Sequence, residues 1–439
     1  MAEQVLNADE LREAWSLLPP DDRVEGFRLL ETGEAEEFFL DLDAGDQYEL
    51  LTHMRAAEQR LWLRLLPPDD AADLLQEAEE HERAELLALI DSQTRREVTA
   101  LLAYEEDEAG GLMSSRFSRV RPDMTVDEAI AYLRRQAMRD ADVETIYYVY
   151  VLDGAQKLLG VVSFRELFSA RGDRRVHEVM NTDFVSVRDD MDQEEVARVF
   201  ADYDVVAMPV VDEERTMVGI VTVDDIVDVV EEETTEDVQK YGGMVALEEP
   251  YMRTSFVDLM RKRVGWLALL FVGEMFTVSA LGIFEQQLET AVVLSLFIPL
   301  IISSGGNSGS QASTLVIRAM TVGEVRLRDW WRVARREVFS GLTLGGVLGL
   351  LGFVRIVFGS LLGFDPQPHA VRLGAAVGLT LIGVVLLGTM AGSMLPFLLR
   401  RAGFDPASAS APLVATVVDL TGLLIYFAIA TLLLSGFLL

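Results

Sequence analysis

Leu413-Val414-Ala415-Thr416-Val417-Val418-Asp419-Leu420-Thr421-Gly422 is a run of apolar and small residues with one carboxylate inside it. It opens a stretch, 413–439, that holds no other charged side chain and is long enough to cross hydrocarbon as a helix, which takes about 20 residues. Four more such stretches precede it, at 264–284, 291–317, 338–362 and 371–399. The carboxyl-terminal part is therefore expected to be a membrane domain of five helices. A carboxylate at the centre of a span costs at least ~2.5 kcal/mol. Asp419 must then face water, a partner group or a cation, and a cation site is the expected reading. The alternatives are a helix-to-helix hydrogen bond or an ion pair, for which Arg355 in the third span is a candidate. Glu274 raises the same question midway along the first span, in Val272-Gly273-Glu274-Met275-Phe276-Thr277.

The chain has 439 residues, 71 acidic against 38 basic, and no cysteine. Disulfides, thiolate zinc sites, iron–sulfur clusters and cysteine nucleophiles are excluded. The acidity argues against nucleic acid as a partner, since phosphate binding needs Lys and Arg. The charge is unevenly spread. Residues 251–439 hold 10 acids and 14 bases, and residues 1–250 hold 61 acids and 24 bases. The first part must be solvated. Its opening, MAEQVLNADELREAW, lacks the basic-then-apolar order of a leader, so the soluble part is expected in the cytosol.

Basic residues alternate along the connections between spans. Arg261, Lys262 and Arg263 precede the first span, and Arg318, Arg326, Arg328, Arg332, Arg335 and Arg336 lie between the second and third. Arg400 and Arg401 lie between the fourth and fifth, whereas the first connection carries Glu285 and Glu289 without a base. The positive-inside rule puts the amino-terminal half in the cytosol and the carboxyl terminus outside. Trp330 and Trp331 read as an interfacial anchor. The second span contains Pro299 and then Ser303-Ser304-Gly305-Gly306-Asn307-Ser308-Gly309-Ser310-Gln311. Proline removes a helix donor and glycines loosen the backbone. A broken helix whose freed carbonyls line a cation path is expected, with close packing of small residues as the alternative.

The soluble part is built from repeats. Leu-Leu-Pro-Pro-Asp-Asp occurs at 17–22 and again at 65–70. Pro-Asp-Asp suits a helix start, so residues 1–110 are read as an acidic all-helical superhelix. Next, Leu112-Met113 matches Val179-Met180, and Val120-Arg121-Pro122-Asp123-Met124 matches Val187-Arg188-Asp189-Asp190-Met191. Further on, Val149-Tyr150-Val151-Leu152-Asp153 matches Met208-Pro209-Val210-Val211-Asp212, and Leu159-Gly160-Val161-Val162 matches Val218-Gly219-Ile220-Val221. The first copy carries an insertion around 136–143. Each copy alternates apolar strands with an amphipathic helix. The glycines at 160 and 219 read as turns into strands, and the two α/β units are expected to pair through their sheets.

These copies, at 111–178 and 179–230, resemble CBS domains, with Val218-Gly219-Ile220-Val221-Thr222-Val223-Asp224-Asp225-Ile226 as the clearest signature. An acidic helical domain, a CBS pair, a connecting helix region (231–262) and five spans (263–439) together resemble the MgtE family of magnesium channels and transporters. Gly-Gly-Asn-Ser-Gly-Ser-Gln at 305–311, Pro-Leu-Val-Ala-Thr at 412–416 and Asp419-Leu420-Thr421-Gly422 make the resemblance specific. It implies a homodimer in the bilayer, with Asp419 of both chains holding hydrated magnesium. Gly305, Gly306, Asn307, Gly309, Ala411 and Ala415 would line the same path. Ala411 stands where members often carry asparagine. The resemblance also implies a cytosolic sensor for divalent cations. Glu37, Asp69 and Asp73 of the helical domain would face Asp204, Asp225 and Asp228 of the CBS pair, with Glu233, Glu236 and Asp237 nearer the membrane. Some members bind ATP at the CBS pair. Tyr148 and Arg165 suit that role, while Glu166 and Val205 replace an expected aspartate and aromatic residue.

The expected function is magnesium-selective, channel-like transport across the plasma membrane, closed by cytosolic magnesium. A membrane-anchored sensor that conducts nothing and a manganese or cobalt transporter are the alternatives. Enzyme chemistry is not expected: His53, His81, His177 and His369 are scattered, with no nucleophile elbow or metal triad.

Overall fold

The computed structural model describes residues 7–139, 145, 147–247, 251–285, 287, 292–363 and 369–434. The chain divides into two compact units, Met1–Glu232 and Glu233–Leu439.

The first unit begins with eight short helices: α1 (Ala8–Ala14), α2 (Pro20–Arg28), α3 (Thr32–Leu40), α4 (Ala44–Thr52), α5 (Ala56–Trp62), α6 (Pro68–Gln76), α7 (Glu80–Leu89) and α8 (Thr94–Leu101). The repeated hexapeptide starts α2 and α6. Pro20 and Pro68 sit in the first turn, where the missing N–H has no helical partner to lose. The aspartates that follow lie at the positive end of the helix dipole. Phe38, Phe39, Leu50, Leu51, Leu74 and Leu75 form a fully buried core. Arg23 is drawn into it and is matched by Asp46 at 3.2 Å and Glu49 at 2.8 Å.

A short helix, α9 (Ala109–Leu112), leads into the two CBS repeats. The first contains β1 (Arg119–Val120), α10 (Val126–Arg139), β2 (Tyr148–Leu152), β3 (Leu158–Ser163) and α11 (Phe164–Ser169). The second contains β4 (Val187–Arg188), α12 (Gln193–Tyr203), β5 (Ala207–Val211), β6 (Met217–Thr222) and the start of α13 (Val223–Tyr241). In both, the outer strands flank the middle one, the first parallel and the last antiparallel. Half of the insertion around 136–143, residues 140–143, falls outside the described residues.

The copies clasp each other. Ser114 exchanges both backbone hydrogen bonds with Ile220, and Asn181 does the same with Val161. This corrects the reading of two glycines as turns: Gly160 and Gly219 lie inside β3 and β6. The methionine of one copy covers the glycine of the other. A Cβ on Gly160 would stand 2.8 Å from Met180 Sδ, and one on Gly219 would stand 2.7 Å from Met113 Sδ. The helical core continues through Met113 into Val187, Val196, Phe200 and Ile226, so the helices and the second repeat share one apolar interior.

The second unit holds α14 (Phe256–Ile283), α15 (Ile298–Thr321), α16 (Trp330–Leu361), α17 (Ala370–Arg401) and α18 (Ala411–Leu434). Each is long and apolar enough to cross a membrane. At its centre α17 packs on α15, α16 and α18, while α14 leans on α18. Trp330 and Trp331 are exposed at the start of α16.

The expected break in the second span is not present. Residues 298–321 form one helix, with Pro299 in its first turn after a 3-10 segment, Val292–Phe297. The glycines serve contact instead. A Cβ on Gly388 would stand 2.3 Å from Gly305 O, and one on Gly392 would stand 2.0 Å from Gly309 O. Two helices thus cross backbone to backbone, the association that small residues permit in lipid. The carbonyls of 305–309 stay within a continuous helix, so they are not freed for an ion.

Candidate functional site

Asp419 lies in the third turn of α18 and is half-buried. Among the described residues it forms no ion pair, so the Arg355 alternative is not realised; Arg355 is exposed and its guanidinium lies over Gly359 of its own helix. The neighbour of Asp419 is another acid, for its carboxyl group lies within hydrogen-bonding reach of the Glu274 carboxyl. On the other side α15 approaches closely. A Cβ on Gly306 would meet Ala415 Cβ at 3.6 Å, and one on Gly305 would meet Val418 at 2.7 Å. The outer face of α15 carries Ser303, Asn307, Gln311 and Thr314, all exposed and spaced by three or four residues. Of the expected lining residues, Gly306, Asn307, Ala411 and Ala415 thus lie on or beside this face. Gly305 and Gly309 are turned into the contact with α17.

The carboxyl-terminal end of α13 docks on these helices. Tyr241 donates its hydroxyl hydrogen to Ser310 O at 2.9 Å, and Thr314 Oγ1 donates to the Tyr241 oxygen at 2.5 Å. Thr321 Oγ1 donates to Asp237 Oδ2 at 3.3 Å. Lys240 bridges Glu236 and Asp405, reaching Asp405 Oδ2 at 2.7 Å. Burial disfavours its ammonium, but the two carboxylates outweigh that and hold its pKa above the ordinary lysine value. Just beyond, Gly243 adopts a positive φ of 78°, and a Cβ there would stand 2.8 Å from the Trp266 ring. Trp266 Nε1 donates to Ser410 Oγ at 3.2 Å. Glu236 and Asp237 therefore belong to a latch between α13 and the membrane helices. Glu233 lies one turn earlier. Sequence reading did not find Lys240, Tyr241 and Asp405, whose partners are distant along the chain.

A second acidic site lies within the first unit, where the first turns of α6 and α13 bring carboxylates together. Asp69, Asp70 and Asp73 come from α6, and Asp224, Asp225 and Asp228 come from α13. Asp69 is buried, and its Oδ1 has no hydrogen-bond partner. Asp225 Oδ2 accepts from Thr222 N at 3.1 Å and Thr222 Oγ1 at 2.7 Å. Burial pushes the pKa of Asp70 up to about 7, helped by Asp69, Asp225, Asp224 and Asp228. Burial also raises Asp225 to about 7 against its bonds from Thr222. Asp69, Asp73 and Asp228 are raised by burial as well, Asp73 strongly. A cation among these groups would relieve both the crowding and the orphaned oxygen.

Of the expected sensor acids, Asp69, Asp73, Asp225 and Asp228 converge here. Glu37 is exposed on α3, and Asp204 caps α12 in a left-handed conformation, φ 51°. Sequence reading passed over Asp70, although it stands next to Asp69 in the repeated hexapeptide. Among the described residues no three carboxylate or imidazole groups converge tightly enough to wrap a bare ion. The chemistry suits an ion that keeps its water shell, as magnesium does.

The raised pKa values carry a sign. Asp70 and Asp225 titrate near pH 4 when unfolded and near pH 7 in the fold. Between those limits the folded unit holds more protons than the unfolded chain, so its stability falls as pH rises. The thermal midpoint of metal-free protein should therefore drop between about pH 5 and pH 8. Added magnesium should restore it at the higher pH, and Asp70→Asn should flatten the slope. A midpoint that climbs with pH in both proteins would contradict the crowding.

At the CBS repeats, Tyr148 begins β2 and Arg165 is exposed on α11. The Glu166 carboxylate is committed to its own helix start, accepting from Ser163 N at 2.9 Å and Ser163 Oγ at 2.7 Å.

Comparison with known proteins matches residues 298–429 to the family MgtE, described as a divalent cation transporter. Residues 6–107 match the MgtE intracellular N domain, and residues 109–173 and 176–232 match the CBS domain. The magnesium transporter MgtE of Thermus thermophilus is 47% identical over 371 residues, 84% of this chain and 80% of that protein. The magnesium transporter MgtE of Enterococcus faecalis is 36% identical over 347 residues, 79% of this chain and 73% of that protein. A solved structure of the cytosolic domain of the Mg2+ channel MgtE in complex with ATP is 45% identical. It covers 51% of this chain and 90% of its own, with a TM-score of 0.47.

Proposed function

The chain belongs to the MgtE family of magnesium transporters, and on that premise we propose that it conducts magnesium through a channel-like path that cytosolic magnesium closes. One observation carries the reading: a half-buried carboxylate within a membrane-length helix, faced by a second acid and compensated by no base among the described residues. Charge in hydrocarbon must be matched, and here a cation is what can match it. Magnesium gives up water reluctantly, so the path takes the hydrated ion, with carboxylates accepting hydrogen bonds from its shell. A divalent ion entering a negative interior gains about 4.6 kcal/mol per 100 mV, twice the ~2.3 of one elementary charge. No ATPase or coupling-ion motif is required.

The path is formed by two copies of the chain in the plasma membrane. The exposed polar row on α15 supports this, since lipid cannot offer hydrogen bonds to Ser303, Asn307 and Gln311 and a second copy enclosing water can. The amino-terminal half faces the cytosol and the carboxyl terminus lies outside, as the arginine-rich connections require. The five-part division given above follows the same plan.

Closure follows from the acids. Without a divalent ion, the carboxylates of α6 and α13 repel. Hydrated magnesium between them draws the two helix starts together and biases α13, a single helix that ends in the Lys240 and Tyr241 latch. The ion must bind the closed arrangement more tightly than the open one. Glu37, Asp204, Glu233, Glu236 and Asp237 would add further acidic groups to this sensor. An adenine nucleotide at the CBS pair is the finer reading for the same unit. Tyr148 and Arg165 support it, whereas Glu166, capping its own helix, takes no part.

Flux into proteoliposomes containing the full chain, titrated against magnesium on the cytosolic face, tests the proposal. Uptake without ATP should fall as that magnesium reaches roughly millimolar levels, the range of weak carboxylate sites. A protein that binds magnesium but passes none would be the membrane-anchored sensor instead. A preference for manganese or cobalt would change the cargo and leave the path.

A further inference from the structure

The face of α14 that meets α18 is built from Leu270, Gly273, Glu274, Thr277 and Ala280, a helical repeat of three and four residues. Gly273 sets the spacing, because a Cβ there would stand 2.6 Å from Thr416 Cγ2. With the helices this close, Glu274 meets Asp419, which lies three residues beyond Thr416 on the same side of α18. One turn further along α14, Thr277 is only 7% exposed, yet its Oγ1 has no hydrogen-bond partner. A buried threonine in a helix ordinarily donates to a carbonyl one turn back. Here its hydroxyl remains available one turn from the Glu274 carboxyl. Among the described residues neither acid has a basic partner, and Arg263, the last base before Glu274 on α14, is about 16 Å back along the helix.

Resting on the reading of Asp419 as the ion site, we infer that Glu274 is a second, specificity-determining carboxylate of that site, with the Thr277 hydroxyl completing its polar edge. With two copies lining the path, Asp419 and Glu274 together bring four negative charges to it. A divalent ion offsets twice as much of that charge as a monovalent ion, so Glu274, by deepening the negative field, sets the preference for divalent over monovalent cations. The first span thereby belongs to the ion path and is not merely a peripheral anchor. Waters of the hydrated ion donate to both carboxylates, so direct coordination is unnecessary.

Full-length protein in proteoliposomes tests this, with magnesium and potassium fluxes measured side by side in Glu274→Gln, Glu274→Asp and Asp419→Asn. Glutamine keeps the size and hydrogen-bonding capacity of Glu274 and removes only its charge. It should raise the magnesium concentration for half-maximal flux about tenfold, as loss of one nearby charge predicts, and open a potassium leak. Aspartate withdraws the carboxylate by one methylene and should shift half-saturation by at least about threefold without the leak. If Glu274→Gln matches the parent in half-saturation and in potassium exclusion while Asp419→Asn loses transport, Glu274 has no such role. If Asp419→Asn is silent as well, the underlying ion site is refuted with it. Should Glu274→Gln fail to yield monodisperse protein, an unshifted Glu274→Asp would overturn the inference.

Discussion

Asp419→Ala should abolish magnesium uptake, by a factor of about 1,000 or more, while the protein remains folded. The size follows from charge. Two unit charges 4 Å apart attract by about 4 kcal/mol at an effective dielectric near 20, and 1.36 kcal/mol is a factor of ten. In a dimer the loss occurs twice at the same point on the path. The fold should survive because the side chain is half-buried and forms no ion pair among the described residues. Removing it leaves no stranded base, which is the usual source of a large penalty. Uptake by proteoliposomes, beside gel filtration of the purified variant, gives both readings. Near-normal flux from a well-folded variant would remove Asp419 from the mechanism.

The second large effect concerns closure. Neutralising Asp69, Asp225 and Asp228 together, each to asparagine, should leave the channel conducting at millimolar-range cytosolic magnesium, where the parent shuts. Asp69 and Asp225 lie in the first turns of α6 and α13, and Asp228 lies one turn further along α13. Asp69 contributes the buried oxygen with no partner. Asparagine keeps the volume and the Thr222 contact of residue 225 but removes the charge that a cation must bridge. The metal-free variant should also be more stable than the parent at neutral pH, since the burial of charge that raises these pKa values, and the repulsion that adds to it at Asp225 and Asp228, are gone. Patch recordings across a range of internal magnesium decide the matter. A closure curve that coincides with the parent's would locate the sensor elsewhere.

Much of this was legible in the residues. Apolar length identified five spans, and the offsets between repeats identified the helical and α/β units. The rarity of charge within spans singled out Asp419 and Glu274. The second span shows where such reading stops. By isolated propensity Pro299 and the glycines favour a break. In the fold, proline falls in the first turn and the glycines lie against Gly388 and Gly392. Propensity concerns one chain segment, whereas the contact depends on a helix some 80 residues later. Gly160 and Gly219 follow the same rule, being kept small by methionines of the opposite repeat.

Composition and periodicity by themselves therefore determined which segments enter the membrane, which repeat, and which acids are costly enough to require a partner. These properties are local, set by side-chain hydration and by the helix and strand periods. Tertiary structure alone decided who the partners are: Glu274 against Asp419, Asp70 among the acids of α13, Lys240 between Glu236 and Asp405. Electrostatic energy depends on separation in space, and separation along the chain does not specify it.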